Sequence, residues 1–279
     1  MAKFTTFTDF RTPKESKQIS EIIQLIRNGD YKKEIDLLRA HIAEGNSEEA
    51  TKIKSKLPAF TPAGVFEGAR NRESLDEYSN VLHLDFDKLT QEQIDELKDS
   101  FRTDSSVHAF FVSPSGNGLK VFFKIDDIPA NHIQNMKKMF RYAKSAWGLT
   151  PDVQCVDLPR LCFMSYDPDA YLNENAELVS FDIAQSVENA LQLTESKKEY
   201  KEGNRNSFIW EFGRQCKRKK MLFDEVYDVS LKKFKDMPQD EIYRTLRSSY
   251  MSKYDLPSIP NESKKGFGKY VSLGQVLKE

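Results

Sequence analysis

Hydrophobic residues recur along this chain with two different spacings, and the spacing changes in blocks. Residues 1–60 read mainly as helices. Ile19, Ile22, Ile23 and Ile26 share one helical face with Gly29 as a stop signal; Ile35, Leu38 and Ile42 continue the pattern in 31–42; residues 48–57 form a short charged helix ending at Pro58. Residues 57–66 are turn-rich and lead into a short strand. Strands are then predicted at 81–86, 107–112 and 119–125, where apolar positions alternate or run continuously. A helix at 90–100 opens on Thr90 as N-cap with Gln93 at capping-box spacing. Another, at 131–147, carries Ile133, Met136, Phe140 and Ala143 on one side, and a further strand follows at 161–165.

The resulting order of strand, helix, strand, strand, helix, strand predicts an α+β fold built on an RRM-like split βαβ sheet. Such a sheet has helices over one face and leaves the other free for a site. The composition changes near residues 193–203, where Thr, Glu, Ser, Lys and Gly read as a solvated linker. Helices are predicted beyond it at 206–218, 222–234 and 239–253. The chain therefore divides into a sheet domain at 1–193 with a helical lead-in over 1–60, a linker at 194–205, a helical domain at 206–256 and an irregular tail at 257–279.

Composition narrows the function classes. The 279 residues are 39% hydrophobic and 30% charged, enough for a packed core under a charged surface. A net charge of −1 argues against a uniformly basic coat for nucleic acid, although a local basic face depends on distribution rather than on the total. Cys155, Cys162 and Cys216 form no CxxC pair, which fits reduced thiols in a cytoplasmic protein. Residues 1–10 lack the apolar run of a signal peptide and no stretch approaches a membrane span, so a soluble intracellular protein is expected.

Three segments carry candidate chemistry. Val81-Leu82-His83-Leu84-Asp85-Phe86-Asp87 ends a strand in two carboxylates one residue apart, which alternation places on the same face. Adjacent carboxylates repel and call for a cation or a proton, and oxygen donors suit Mg²⁺ or Mn²⁺. Ser113-Pro114-Ser115-Gly116-Asn117-Gly118 can present hydroxyls and backbone N–H groups to an anion, with Lys120 just beyond; it can equally be a plain hairpin turn, since Asn-Gly is a hairpin signal. In residues 148–168, Asp152 or Asp157 could complete a three-carboxylate metal site and Arg160 could fork onto a phosphate, or Asp157 and Arg160 could simply pair at the surface. The four histidines form no ligand pattern.

Together these segments resemble the archaeo-eukaryotic primase superfamily, and more closely the VirE N-terminal-type primase-like domain of mobile-element proteins. The resemblance covers most of residues 1–200. It rests on residues 57–66, on His83-Leu84-Asp85-Phe86-Asp87, on Ser113 to Lys120, and on Arg160-Leu161-Cys162-Phe163-Met164-Ser165-Tyr166-Asp167-Pro168. It implies a catalytic RRM-like sheet that binds two metal ions, Mg²⁺ or Mn²⁺, and a nucleoside triphosphate. Asp85 and Asp87 match the paired metal-binding acids, Asp152 (with Asp157 as alternative) the third, and Ser113, Ser115, Gly116 and Gly118 the triphosphate turn. At Lys120 many members carry a histidine; a lysine pairs with phosphate but cannot shuttle a proton near neutral pH. The C-terminal helices resemble the small helical domain that follows primase catalytic domains, matched at Gly203-Asn204-Arg205-Asn206, Glu241-Ile242 and Arg247-Ser248-Ser249-Tyr250.

The function implied is template-dependent nucleotidyl transfer by a primase-polymerase, with single-stranded DNA and nucleoside triphosphates as partners and a replicative helicase alongside. The basic run Arg214, Lys217, Arg218, Lys219, Lys220 would grip template phosphates, or be a solvated helix end. The alternative is a primase-like module that binds single-stranded DNA or nucleotides without polymerising. A rolling-circle nickase is disfavoured, because no His-hydrophobe-His pair is present.

Overall fold

The computed structural model describes residues 2–9 and 12–252. The segment expected to be an irregular tail, and the last residue of the helix expected at 239–253, lie outside the described residues. In chain order the elements are β1 (Lys3–Phe7), β2 (Pro13–Gln18), α1 (Ile19–Asn28), α2 (Lys32–Ala43), α3 (Ser47–Ser55), β3 (Ala59–Phe60), β4 (Gly64–Phe66), β5 (Leu75–Tyr78), β6 (Val81–Phe86), α4 (Gln91–Thr103), β7 (Val107–Val112), β8 (Leu119–Lys124), α5 (His132–Trp147), β9 (Cys162–Phe163), β10 (Tyr171–Leu172), α6 (Ile183–Glu195), α7 (Arg205–Arg218), α8 (Phe223–Lys233) and α9 (Gln239–Met251). Among the described residues, no helix is long and apolar enough to cross a membrane.

The fold is mixed α+β with antiparallel sheets. The central sheet runs β10-β7-β8-β6, so β8 lies between β6 and β7 and is antiparallel to both. Alternation along β6 sends Leu82, Leu84 and Phe86 to one face, where they pack with Ile94 and Phe101 of α4 and Met136, Met139 and Trp147 of α5. Thr90 caps α4 and closes a capping box with Gln93, as its spacing predicts.

The opposite face is not free. A second sheet, β2-β1-β3-β9, and the apolar stripe of α1 cover it, so that Val81, Ala109, Phe111 and Phe122 pack with Phe4, Phe60, Ile22, Ile26 and Cys162. Two of its strands, β1 and β2, fall in the lead-in expected to be helical. β2 has the sequence Pro-Lys-Glu-Ser-Lys-Gln and is polar throughout, so it shows no alternation; a charged edge strand of this kind resists unwanted pairing. The strand expected at 161–165 shrinks to Cys162–Phe163 and joins this second sheet by pairing with β3. The fourth strand of the central sheet is β10, paired to β7.

At the C-terminal end, Val187, Ala190 and Leu191 of α6 share a core with Phe208, Phe212, Val226, Ile242 and Leu246 of α7, α8 and α9. The segment expected as a linker is therefore divided: its first residues belong to α6, its last, Arg205, opens α7, and the rest is the turn between them. Sequence reading placed no helix there.

A buried cation ties this helical cluster to the central layer. Lys220, in the left-handed region at φ 60°, pairs with Asp104 beyond the end of α4, and its ammonium lies 5.1 Å from the Tyr142 ring centroid and 5.8 Å from that of Trp147. Burial alone would raise the Asp104 pKa; the Lys220 charge and hydrogen bonds from Lys220 and Ser106 outweigh it and hold the carboxyl below its ordinary value. Replacing Lys220 with Ala strands the Asp104 carboxylate and should cost about 3 kcal/mol, read as a lower urea midpoint than that of the exposed control Lys233→Ala. Because the Asp104 pKa is depressed in the fold, its stabilisation is present above the ordinary carboxylate pKa and fades as pH falls through the folded value. The wild-type advantage over Lys220→Ala should therefore shrink in acid.

Candidate metal and anion site

The site begins with the register of β6 on β8. Asp85 stands opposite Lys120, and Lys120 opposite Phe111, so all three share the face that meets the second sheet. Both residues are buried, and the Lys120 ammonium donates to Asp85 Oδ2. Burial pulls the Lys120 pKa down, but the Asp85 carboxylate and other nearby groups outweigh it and hold the ammonium above its usual value. Asp85 Oδ1 is buried with no hydrogen-bond partner.

The chain between α5 and β9 completes the cluster. The Asp152 backbone N–H donates to the Asp85 carbonyl at 2.7 Å, docking a short 3₁₀ turn, Val153–Val156, against the end of β6. Asp152 caps that turn by accepting from the Gln154 N–H at 2.9 Å. Cys155 Sγ then lies 3.9 Å from Asp85 Oδ2 and 3.6 Å from Asp152 Oδ2. One ligand atom from each of Asp85, Asp152 and Cys155 falls within 4.8 Å of the others, the spacing of a metal seat. Burial first, and then the Asp85 charge, push the Cys155 thiol up to about 12, so it stays protonated and donates to the carboxylates. The available donors are therefore carboxylate oxygens, one of them an orphan, and that set fits a hard divalent cation such as Mg²⁺ or Mn²⁺.

The other predicted residues separate. Asp87 lies past the strand end and is exposed, outside the group formed by Asp85 and Asp152; partial burial of its carboxyl, followed by the Asp85 charge, raises its pKa. It overhangs the Ser/Gly turn instead: a Cβ on Gly118 would sit 3.3 Å from Asp87 Oδ1, 3.1 Å from Ser113 Oγ and against the Phe86 carbonyl, so only glycine fits. Asp157 is held by Arg160 at 2.8 Å in a half-exposed ion pair, the surface pairing weighed as the alternative to a ligand role.

Residues 113–118 form a closed hairpin turn. The Ser113 N–H donates to the Gly118 carbonyl at 2.8 Å and the Gly116 N–H to the Ser113 carbonyl at 2.9 Å, with Gly116 at φ 82°. The Ser113 and Ser115 hydroxyls lie 3.0 Å apart, and Ser115 donates to Asn117 Oδ1 at 2.7 Å. An arriving anion would exchange these internal hydroxyl bonds for its own, and the Gly116 N–H is already engaged. Arg39 of α2, which sequence reading did not single out, fastens the turn from behind. It donates to the carbonyls of Pro114 at 3.1 Å, Ser113 at 3.2 Å and Tyr166 at 3.0 Å. Its separation from the turn by about seventy-five positions leaves no local signal.

The basic run of α7 does not form one exposed face. Lys217 is buried and donates to the Ser252 carbonyl at 2.9 Å, and Lys220 is the buried cation described above. Arg214 lies over the Trp210 ring at 5.1 Å and pairs with Glu211, while Arg218 is exposed and Lys219 half-exposed. Lys217 lies on the inward face of α7, while Lys219 and Lys220 follow the end of the helix.

Residues 52–172 match the family model described as BT4734-like, N-terminal domain. That span holds Asp85, Asp87, the turn, Lys120, Asp152, Asp157 and Arg160, but neither Arg39 nor the C-terminal helices. No curated protein matches the chain. Among solved structures, a crystal structure of primase RepB' is similar at 13% identity with a TM-score of 0.28, covering 90% of this chain and 89% of that one.

The geometry yields an ordered set of cation affinities. In a Mn²⁺ titration followed by electron paramagnetic resonance, Asp85→Asn should abolish binding and Asp152→Asn weaken it at least tenfold, whereas Asp157→Asn should match wild type. Lys120→Met leaves Asp85 buried and unpaired, so it should lower stability by about 3 kcal/mol without metal, and Mn²⁺ should raise its melting temperature more than that of wild type.

Proposed function

We propose that the chain is a primase-polymerase-type nucleotidyltransferase of the VirE N-terminal kind, within the archaeo-eukaryotic primase superfamily, acting in mobile-element or phage-type replication. The observation that carries this reading is the buried, half-orphaned Asp85 carboxylate. It converges with Asp152 at the same end of the central sheet as the Ser/Gly turn. The placement of β8 between β6 and β7 supports a split βαβ unit, although the fourth strand, β10, pairs with β7 and not with β6. The four segments behind the resemblance lie within the span matched by the family model.

In this reading Asp85 and Asp152, with Asp87 at the mouth, would hold Mg²⁺ or Mn²⁺, which would supply Lewis acidity toward an attacking 3′-hydroxyl and counter-charge for the departing pyrophosphate. The remaining work belongs to the chain. Ser113 and Ser115 turn their hydroxyls to the triphosphate, held in place by the rigid turn that Arg39 fastens. Lys120 donates to Asp85 Oδ2 and holds the carboxylate in place. Arg160, at the edge, exchanges Asp157 for phosphate oxygens. A single-stranded DNA template would cross the exposed side, and a helicase would supply it.

A second reading, a module that binds nucleotides or single-stranded DNA without polymerising, is favoured by one observation: Lys120 already occupies half of the Asp85 carboxylate. Primer synthesis and primer extension separate the two. With Mn²⁺, a single-stranded template and labelled nucleotides, wild type should yield extended product and Asp85→Ala at least a hundredfold less. Absence of product from wild type, with nucleotide affinity unchanged by Asp85→Ala, would overturn the transferase reading.

A further inference from the structure

Two side chains on one short turn face a buried carboxylate at the end of β6. The Asp152 N–H donates to the Asp85 carbonyl at 2.7 Å and the Cys155 N–H to the Asp152 carbonyl at 3.1 Å, so Asp152 and Cys155 are fixed to the same edge. Asp152 Oδ1 is taken by the Gln154 N–H, which leaves Oδ2 for Cys155 Sγ at 3.6 Å. The same sulfur lies 3.9 Å from Asp85 Oδ2. Asp85 is 7% exposed, and its other oxygen, Oδ1, has no partner in a setting where an unmade bond is costly. A single thiol proton serves one oxygen well, yet Sγ stands within reach of two.

These separations are those of a metal's donor set. In a tetrahedral zinc site, with Zn–S about 2.3 Å and Zn–O about 2.1 Å, the sulfur and each oxygen lie roughly 3.6 Å apart. The two S···O distances here, 3.6 and 3.9 Å, meet that figure with little movement. Asp85 Oδ2 already accepts from Lys120, but a carboxylate oxygen has two lone pairs and can accept and ligate at once. The charges also balance. As the ion binds, the thiol proton passes to solvent. Asp85, Asp152 and the Cys155 thiolate then offset Lys120 and one divalent ion, and the buried cluster is neutral without Asp87. Cys162 and Cys216 belong to no such group among the described residues.

We infer that Cys155 is a third ligand that gives the seat two modes: Mg²⁺ binds through the carboxylates alone, whereas Zn²⁺ or Co²⁺ also takes the Cys155 sulfur and binds more tightly. Magnesium is hard, gives up water reluctantly and gains little from sulfur. Zinc and cobalt are borderline ions for which a thiolate is a favoured donor. The inference rests on reading this cluster as the metal seat of the nucleotidyltransferase above. In that reading a borderline ion is a tight competitor of Mg²⁺ at the seat.

The test is a Co²⁺ titration of the full chain followed by near-ultraviolet absorbance, paired with Zn²⁺ and Mg²⁺ affinities from calorimetry. Wild type with Co²⁺ bound should show the charge-transfer absorption of a cobalt–thiolate bond. Cys155→Ser should lose it and Cys162→Ser should keep it. Cys155→Ser should also weaken Zn²⁺ at least about tenfold, because losing a ligand costs no less than losing an outer-shell partner, and should leave Mg²⁺ affinity unchanged. If Cys155→Ser does not fold, absorption retained by both Cys162→Ser and Cys216→Ser carries the assignment. Co²⁺ bound without that absorption overturns the inference, as does a Cys155→Ser chain that binds Zn²⁺ as tightly as wild type. In either case normal Mn²⁺ binding leaves the nucleotidyltransferase reading standing. If neither Mn²⁺ nor Co²⁺ binds, that reading falls together with the inference.

Discussion

The ion pair between Asp85 and Lys120 is the constraint around which the central layer is arranged. Two opposite charges directly across an antiparallel rung attract, but here both are buried, and removing them from water costs more than an exposed pair could return. The pair persists because the β6–β8 register fixes it and the second sheet holds water away from it. A one-residue slip would send Asp85 into the helix-covered core and Leu84 into the site, so apolar alternation and buried charge enforce the same register. That register also sets the order of turn and acid cluster along the sheet.

The second sheet determines what the acids can do. On an open face, Asp85 would be solvated and a divalent ion would hold it weakly. Beneath β1, β3 and β9, with Cys162 and Phe60 packed against the same face, Asp85 Oδ1 has no protein donor to satisfy it. The N-terminal segment thus makes the site dry, and Arg39, on the helix that follows α1, fastens the turn. The chemistry of residues 85–160 depends on residues 3–60 for its environment.

How legible these features are in the sequence depends on how local their causes are. The stripe of α1, the Thr90–Gln93 capping box and the strands at β6, β7 and β8 are written in spacing a few residues long, and the structure carries them as read. β1 and β2 were missed because Thr5 and Thr6 break the apolar pattern while β2 is a polar edge. β9 and β10 are two-residue strands defined by their partners rather than by their own sequence. Asp85 and Asp152 are recognisable as chemistry, but their meeting is not: it depends on one backbone hydrogen bond across sixty-seven positions. Asp157 looks equivalent to Asp152 in sequence, and only the nearness of Arg160 removes it from the cluster.

Charge balance then bears on how a cation and Lys120 can share Asp85. Asp85 and Asp152 supply two negative charges, and Lys120 cancels one. A divalent ion added to that pair alone would leave a net positive charge in a dry cleft, an unfavourable state. The Asp87 carboxylate, at the exposed mouth of the cleft, brings the sum back to neutral. One divalent ion can therefore be accommodated by this chain's own residues with Lys120 left in place. A second has no carboxylate among these to balance it and needs the phosphates of a nucleotide as its counter-charge. In the proposed reading, Lys120 raises by one the positive charge that the substrate must balance, relative to a neutral histidine at the same rung.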